Sequence, residues 1–266
     1  MTPVPPELLT LLRDKRRQTA RTVLGMYKQA NAGHIGASLS CLELLIDTLH
    51  RAAPDDQLVL SKGHAAAALY AALADAGRLD PVLLGTFYKD GTLLAAHPPC
   101  GRQVPSIPFG TGSLGHGLSL AAGMVFSQRF TQKQFEVTCI VSDGDCNEGS
   151  TWEAALFAAQ HQLSRLLVIV DRNRLQGFGS TEDVMELEPF ADKWRAFGFD
   201  VATANGNDFA SLHDARARSV PSKQPRVIVA NTIKGHGVSF MQNKMEWHYL
   251  PMNDAQYAQA LAELDA

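Results

Sequence analysis

The chain has 266 residues, of which 45% are hydrophobic and 19% are charged, and its formal net charge at pH 7 is −3. This length is sufficient for the core of one large α/β domain or two small ones, and the near-neutral charge argues against a nucleic-acid-binding protein. No membrane span is expected, because the longest apolar run, residues 65–74, is much shorter than the roughly 20 residues that cross a bilayer.

The first predicted element is a long helix over residues 7–30. It carries a basic cluster that is expected to form a solvated helix face rather than a phosphate or nucleic-acid site. The cluster consists of Arg13, Lys15, Arg16, Arg17 and Arg21. The segment from Asn31 to Gly36 ends this helix, and the capping-box spacing of Ser40 and Glu43 predicts that a second helix starts at Ser40.

The next part of the chain begins with a short buried strand predicted at Leu58–Leu60. The loop Ser61–His64 follows, and then an alanine-rich helix that ends near Gly77. Residues 85–116 contain many glycines and prolines and are interpreted as an ordered loop region, long enough to suggest a function. A helix of small residues is predicted over residues 117–129.

Two apolar runs, Val137–Val141 and Leu166–Val170, flank one predicted helix, Thr151–His161. Strand, helix and strand in this order predict a βαβ crossover whose strands are buried on both faces.

The same alternation continues toward the end of the chain. Helices are predicted near residues 187–197 and 208–218, and strands at residues 199–203 and 226–231. The complete pattern predicts an α/β fold, in which an open, mostly parallel sheet has helices on both faces.

Ligands of such sheets bind beyond the carboxyl ends of the strands. We therefore expect the segments that follow the predicted strands to share one rim of the sheet. These segments are residues 61–64, 142–148, 171–179 and 231–237.

Asp143 and Asn173 follow neighbouring predicted strands and predict a metal site. One carboxylate and one amide oxygen suit Mg²⁺, whose remaining ligands are often phosphate and water. Gly144 allows a ligand to approach the backbone closely, and the helix start near residues 149–152 offers free N–H groups to an anion. Taken alone, Asp143-Gly144 is more typical of a plain turn; the ordered combination of strand, turn, helix, strand and asparagine is more specific.

The segment Gly110–Gly115 matches the pattern G-x-G-x-x-G. A dinucleotide site also needs a preceding strand and an acidic residue about 20 positions later, at the end of a second strand. Val104–Pro108 is a poor strand because of its prolines, and Glu136 begins a strand instead of ending one. We therefore expect no nucleotide site there.

The four cysteines, Cys41, Cys100, Cys139 and Cys146, include no C-x-x-C pair. The proline-rich start, Met1–Pro6, lacks the apolar segment of a signal peptide. Both features predict a reduced, cytoplasmic protein with free thiols.

Taken in order along the chain, a set of short motifs resembles the thiamine-diphosphate enzymes and, more closely, the N-terminal domain of transketolases. The resemblance extends from about residue 8 to residue 250 and depends on the ordered set rather than on one motif. The motifs are NAGHIG at residues 31–36, LSKGH at 60–64, HP at 97–98, TGSLG at 111–115, DGDCNEG at 143–149, WEAA at 152–155, DRNRLQ at 171–176 and NTIKG at 231–235.

This resemblance implies one thiamine-diphosphate-binding domain over residues 1–266, of the type that binds the diphosphate and the metal. Asp143, Asn173 and the main-chain carbonyl of Leu175 would bind Mg²⁺, or Ca²⁺ or Mn²⁺ in its place. Glu148 would support the residues that contact the metal and the diphosphate. The full set expected to contact or support thiamine diphosphate is His64, Gly112, Ser113, Leu114, Gly144, Asp145, Glu148, Asn173 and His248.

Histidines in loops form the expected catalytic set. His34, His64 and His97 lie next to glycine or proline, and transketolases use such histidines to bind the hydroxyls of a ketose and to move protons. Imidazole suits this task because it donates, accepts and titrates near neutrality. His248 is also expected to reach the diphosphate or the substrate, although a packing loop is the alternative, and His116 is left open.

The sequence departs from the family pattern at several positions. Ser142 stands for the usual first glycine of G-D-G, and Arg174 replaces a common glycine after the metal-binding asparagine. Gly177 stands where many relatives have an isoleucine against the cofactor. The pocket at the thiazolium ring is therefore expected to be either looser or rebuilt by Phe178.

Full transketolases also have a pyrimidine-binding domain and a C-terminal domain, which this chain is not expected to contain. The resemblance thus implies the N-terminal half of a split transketolase, inactive alone and paired with a separate chain that carries the pyrimidine-binding domain, as an α2β2 heterotetramer. The implied reaction transfers a two-carbon ketol unit from a ketose or ketose phosphate to an aldose.

Two alternatives remain open at this point. The first is part of another thiamine-diphosphate enzyme, such as a 2-oxo-acid dehydrogenase or a deoxyxylulose-phosphate-synthase-like enzyme. It is disfavoured because a 2-oxo acid has few hydroxyls for so many histidines. The second, a domain that binds a partner without catalysis, is disfavoured by the presence of Asp143, Asn173, His34 and His64.

Overall fold

The computed structural model describes residues 4–99, 101, 103–218 and 223–265. Ten α-helices alternate with five strands in these ranges. The helices are α1 Pro6–Ala30, α2 Ile35–Ser40, α3 Leu42–Arg51, α4 Ala66–Asp75, α5 Gly117–Ser127, α6 Gly149–Gln160, α7 Thr181–Val184, α8 Phe190–Ala196, α9 Phe209–Arg218 and α10 Asp254–Asp265. The strands are β1 Gln57–Leu60, β2 Val137–Ser142, β3 Leu166–Arg172, β4 Asp200–Asn205 and β5 Arg226–Asn231.

The five strands form one sheet in the order β1-β2-β3-β5-β4. Every pair of neighbours in this sheet is parallel, which confirms the α/β fold expected from the sequence. Ser142 lies opposite Asp171, and Arg172 lies opposite Asn231. The carboxyl ends of β2, β3 and β5 therefore meet at one edge.

Both faces of the sheet are covered by helices, because alternate strand residues point to opposite sides. Ile140 and Ile169 belong to a core formed with α1, α2, α3 and α4. Val141 and Val168 belong to a second core formed with α5, α6 and α8. The continuous apolar runs in the sequence are explained by this double burial.

The prediction that Ser40 caps a helix is wrong. Helix α3 begins at Leu42, and the residue before it, Cys41, makes no side-chain cap bond among the described residues. Ser40 and Glu43 are both buried. Their polar atoms bond to distant groups instead, since the Ser40 hydroxyl donates to Asp171 and Glu43 accepts from Arg16.

The basic cluster of α1 is only partly a solvated face. The side chain of Arg16 is 11% exposed and forms an ion pair with Glu43, because this face of α1 packs against α3. Lys15, Arg17 and Arg21 form ion pairs nearer the surface, as a solvated face requires.

Cys41, Cys139 and Cys146 are buried free thiols, as predicted, whereas Cys100 lies outside the described residues. Among the helices in the described ranges, none has both the length and the apolar character needed to cross a membrane.

Candidate active site

The segments that follow the strands converge at one rim, as expected. Lys62, after β1, forms an ion pair with Asp171 at the end of β3. The hydroxyl of Thr232, after β5, also donates to Asp171. Lys234 Nζ donates to the carbonyl of Leu175 over 3.2 Å. Parallel strands carry these loops to the same edge, so side chains that are distant in sequence share one site.

A cavity of about 280 Å³ opens at this rim. It brings together most of the residues predicted to form the site. Those that line it are His34, His64, His97, Gly112, Leu114, Asp143, Gly144, Asn173, Leu175 and His248.

Asp143 and Asn173 place oxygen atoms at the floor of this cavity and are 2% and 7% exposed. Asp143 accepts hydrogen bonds from Gly144 N over 2.9 Å and from Arg174 N over 2.6 Å. Asn173 Oδ1 accepts from Leu175 N over 3.0 Å. Burial, and then the nearby charge of Asp171, raise the pKa of Asp143 to about 7.

These oxygens fit a hard divalent cation. In the described part of the chain, no three His, Cys, Asp or Glu side chains gather into a metal site. A single carboxylate with an amide and a carbonyl oxygen fits Mg²⁺, which takes further oxygen ligands from phosphate and water. Burial and the charge of Asp171 disfavour the ionised form of Asp143, and a bound cation would offset both effects.

Asp145 lies behind the cavity rather than in its wall. Its carboxylate accepts from Ser61 Oγ over 2.6 Å, from Gly115 N over 2.8 Å and from Ser142 N over 2.7 Å. These bonds tie together the ends of β1 and β2 and the loop before α5. Asp145 therefore supports the loops around the cavity from the interior.

Two other predicted cofactor residues, Ser113 and Glu148, are exposed and do not line the cavity. Ser113 and His116 lie instead in an adjoining cleft, together with His97 and Gly112. His116 is held there by its Nδ1 atom, which lies 3.0 Å from the carbonyl oxygen of Leu114.

Three histidines form a compact cluster in the cavity. The ring centroids of His34 and His248 are 4.9 Å apart, those of His64 and His248 are 5.5 Å apart, and those of His34 and His64 are 5.6 Å apart. His97 also lines the cavity, and its ring carbon Cδ2 would lie 2.8 Å from a Cβ atom added to Gly112.

Burial is the main cause that lowers the pKa of all four histidines, which favours the neutral form of each ring. Burial, followed by the charge of Lys62, lowers the pKa of His64 well below its ordinary value. Burial and then Lys234 lower the pKa of His248 to about 3. Burial also lowers the pKa of His34 and of His97. Each neutral ring offers one donor and one acceptor, a pattern that matches hydroxyl groups.

Sequence reasoning missed two buried lysines in the quoted motifs. Lys62 is 0% exposed and donates to the carbonyl of Ala37 over 3.0 Å, besides pairing with Asp171. Lys234 is 1% exposed, and its Nζ lies 3.2 Å from His248 Nδ1. Burial and then Lys62 lower the pKa of Lys234 to about 8. The motifs contain both residues, but lysine in a loop is mostly exposed, so its type gave no signal of burial.

The departures from the family pattern are accommodated locally. Arg174 adopts a left-handed backbone with φ 62°, which explains why glycine suits this position. Phe178 lies at the cavity mouth with 86% of its surface exposed. The hydroxyl of Tyr249 takes up space beside Gly177 and donates to its carbonyl.

The glycine-rich segment Gly110–Gly115 forms a loop beside Gly63, and no strand precedes it in residues 101 and 103–109. This arrangement agrees with the prediction that it is not a dinucleotide fingerprint.

Comparison with known proteins gives consistent matches over nearly the whole chain. Residues 15–265 match the family described as the transketolase, thiamine diphosphate binding domain. The chain is 38% identical to one of the apulose-4-phosphate transketolase subunits of Phocaeicola vulgatus, covering 97% of this chain and 94% of that protein. It is 39% identical to the 6-deoxy-6-sulfo-D-fructose transketolase subunit SqwG of a Clostridium species, covering 88% of each.

Longer proteins match over a smaller share of their length. Human transketolase is 31% identical, over 96% of this chain and 42% of that protein. The crystal structure of transketolase from Campylobacter jejuni superimposes with a TM-score of 0.88 at 25% identity, over 96% of this chain and 43% of that one. The chain therefore spans about two fifths of these longer transketolases, but nearly all of the relatives named as subunits.

Proposed function

The chain belongs to the transketolase family through its thiamine-diphosphate-binding domain, and from this premise we propose that it is the diphosphate- and metal-binding subunit of a two-chain transketolase. Two relatives named as transketolase subunits match over 94% and 95% of their length, whereas human transketolase matches over 42% of its length. This contrast supports an enzyme in which residues 1–266 form one domain and a separate chain carries the pyrimidine-binding domain.

The proposal depends on one observation: two sets of residues, the histidines and the proposed metal ligands, line the same cavity. His34, His64 and His248 face the same space as the oxygens of Asp143 and Asn173. Bound thiamine diphosphate supplies the carbanion chemistry of ketol transfer, while the protein supplies orientation and charge.

The cofactor's anionic end fits the floor of the cavity. Asp143, Asn173 and the carbonyl of Leu175 would hold Mg²⁺, or Ca²⁺ or Mn²⁺. Gly144 lies in the cavity wall without a side chain, and it would let the diphosphate approach the backbone. Leu114 gives the same wall an apolar patch for the thiazolium ring.

The neutral histidines are proposed to bind the sugar. His34, His64, His97 and His248 each present a donor and an acceptor to the hydroxyls of a ketose and move protons at its oxygens. The substrates are therefore polyhydroxylated: a ketose or ketose phosphate as donor and an aldose as acceptor.

Reconstitution tests this function. The chain is mixed with a candidate partner that carries a transketolase pyrimidine-binding domain, with thiamine diphosphate and Mg²⁺. Ketol transfer is then assayed with a panel of ketoses, each with and without a phosphate group. We expect turnover only in the mixture, and an α2β2 mass by light scattering. Turnover by this chain alone would contradict the two-chain enzyme.

A calorimetric titration checks the cofactor part independently of turnover. Thiamine diphosphate is titrated into the two-chain mixture with Mg²⁺ and, as a control, with excess EDTA. Equal affinity for thiamine diphosphate with Mg²⁺ and with excess EDTA would contradict the metal site. A cytoplasmic location, expected from the sequence, stays a prediction.

A further inference from the structure

The loop 175–180 begins at the proposed metal-binding carbonyl and turns back sharply at the cavity mouth. Leu175 and Ser180 pair as an isolated antiparallel bridge. At the tip of the loop, Phe178 is 86% exposed, so the tip gains little from apolar packing of its own. Within the loop, Gln176 N donates to the carbonyl of Gly179 over 2.9 Å, and the Gln176 side chain donates to Asn147. A further contact, from elsewhere in the chain, reaches the tip.

Tyr249 makes this contact. Its hydroxyl donates a hydrogen bond to the carbonyl of Gly177. A Cβ atom added to Gly177 would lie 2.9 Å from Tyr249 Oη and 3.4 Å from His248 Nε2. The hydroxyl therefore occupies the space that a side chain at position 177 would fill.

Tyr249 is itself fixed to the histidine side of the cavity. Its amide donates to the carbonyl of Glu246 over 3.0 Å, and its ring centroid lies 4.8 Å from that of His248. A Cβ atom on Gly33 would collide with the main-chain carbonyl of Tyr249, so the two backbones touch. The next contact along this path is between His34 N and the carbonyl of His248, over 3.0 Å.

We propose that Tyr249 is a positioning residue that latches the tip of the loop 175–180 to the histidine cluster. In doing so it closes the cavity wall beside Gly177, where many transketolases have an isoleucine, and it fixes the loop that carries the carbonyl of Leu175. The effect on cofactor affinity rests on the proposed function, whereas the latch itself is a property of this chain.

The deciding variant is Tyr249→Phe, which removes the hydroxyl and keeps the ring. We expect amide hydrogen exchange in peptides covering residues 175–180 to become roughly three- to tenfold faster, the effect of one hydrogen bond. The affinity of the two-chain complex for thiamine diphosphate with Mg²⁺ should fall by a similar factor. Tyr88→Phe is the matched control, because Tyr88 is 53% exposed and Tyr249 is 54% exposed.

Gly177→Ala tests the same contact from the other side. The backbone at Gly177 is not left-handed, so alanine is compatible with it, but the new Cβ would push the hydroxyl away. We expect this variant to reproduce the faster exchange of Tyr249→Phe, and the double variant to be no faster than either. Effects that multiply in the double variant would mean independent contacts and would overturn the latch.

The hydrogen-exchange and affinity measurements distinguish failure of the latch from failure of the proposed function. Hydrogen exchange is measured without cofactor. Unchanged exchange in Tyr249→Phe therefore overturns the latch, whether or not the two-chain complex binds thiamine diphosphate or is active. Faster exchange with unchanged affinity overturns the role of the latch toward the cofactor. If the unmodified complex binds no thiamine diphosphate, the proposed function fails while the exchange result still decides the latch.

Discussion

Asp143 is the residue on which cofactor binding depends most directly. Two carboxylates, Asp143 and Asp171, are buried at the same rim, and of these two it is Asp171 that pairs with Lys62. The negative charge of Asp143 is therefore available to a bound cation. Such an arrangement holds a cation tightly because the protein has already buried the carboxylate and fixed its orientation with backbone hydrogen bonds.

The first prediction is that Asp143→Ala abolishes Mg²⁺-dependent binding of thiamine diphosphate. The variant removes the carboxylate from the proposed metal ligands and leaves only neutral oxygens. Calorimetric titration of the two-chain complex measures the effect. Asp192→Ala is the matched control, because its side chain is 68% exposed and pairs with neighbouring Arg195 at the surface. Equal affinity in the Asp143 variant and its control would remove Asp143 from the metal site.

The second prediction concerns the pH dependence of stability without metal. The pKa of Asp143 is raised from 3.8 to about 7, so the folded chain binds a proton there that the unfolded chain has released. Stability from this group is complete below about pH 4 and is lost as the pH rises toward 7.

Asp143→Asn, which cannot titrate, isolates this contribution. Between pH 5 and 7, the free energy of unfolding of the metal-free unmodified chain should fall relative to the variant, by at most about 1.4 kcal/mol per pH unit. Urea unfolding at several pH values measures the difference. Parallel pH profiles of the two proteins would show that Asp143 is already ionised without metal.

At the scale of elements, one buried ion pair joins the ends of β1 and β3. Lys62 and Asp171 are 1% and 0% exposed at their side chains. Ser40, at the end of α2, and Thr232, after β5, donate to the same carboxylate. The ends of three strands and one helix therefore share one polar centre, which fixes the loops that carry the histidines and the metal ligands.

The third prediction is that Lys62→Met destabilises the chain by about 3 kcal/mol or more, because Asp171 is left as an uncompensated buried charge. Lys15→Met is the control, since its ion pair with Asp75 is 27% and 22% exposed and should contribute less than about 1 kcal/mol. Urea unfolding compares the two variants. Adding Asp171→Asn to Lys62→Met should recover part of the loss; no recovery would assign the loss to packing alone.

Elements were predictable from the sequence where the pattern is local. The apolar runs of β2 and β3 indicated the strands, and their parallel order placed Asp143 and Asn173 together. The environments of Ser40 and Arg16 were not predictable, because the partners that bury them come from distant segments. Burial of individual charged residues in the motifs was not predictable either. Lys234 is buried and Glu148 is exposed, and residue type alone does not show which of the two is buried.

At the scale of the whole molecule, the cavity is open toward solvent and bordered by exposed apolar side chains. Phe178 and Leu250 are 86% and 52% exposed. Phe178 lies in the cavity wall, and Leu250 follows Tyr249, which also lines it. Large exposed apolar side chains beside a site are typical of a surface that another chain covers.

The fourth prediction is that Phe178→Ser weakens association with the pyrimidine-domain chain by at least about tenfold, since buried aromatic side chains dominate such interfaces. The stability of this chain alone should not fall, because the side chain is 86% exposed in it. Phe130→Ser is the matched control: Phe130 is 77% exposed but follows the end of α5 that is remote from the cavity. Surface plasmon resonance of the two chains measures both variants. If Phe178→Ser leaves association unchanged, like its control, the partner does not cover the cavity mouth at Phe178, which contradicts a cofactor site between the two chains.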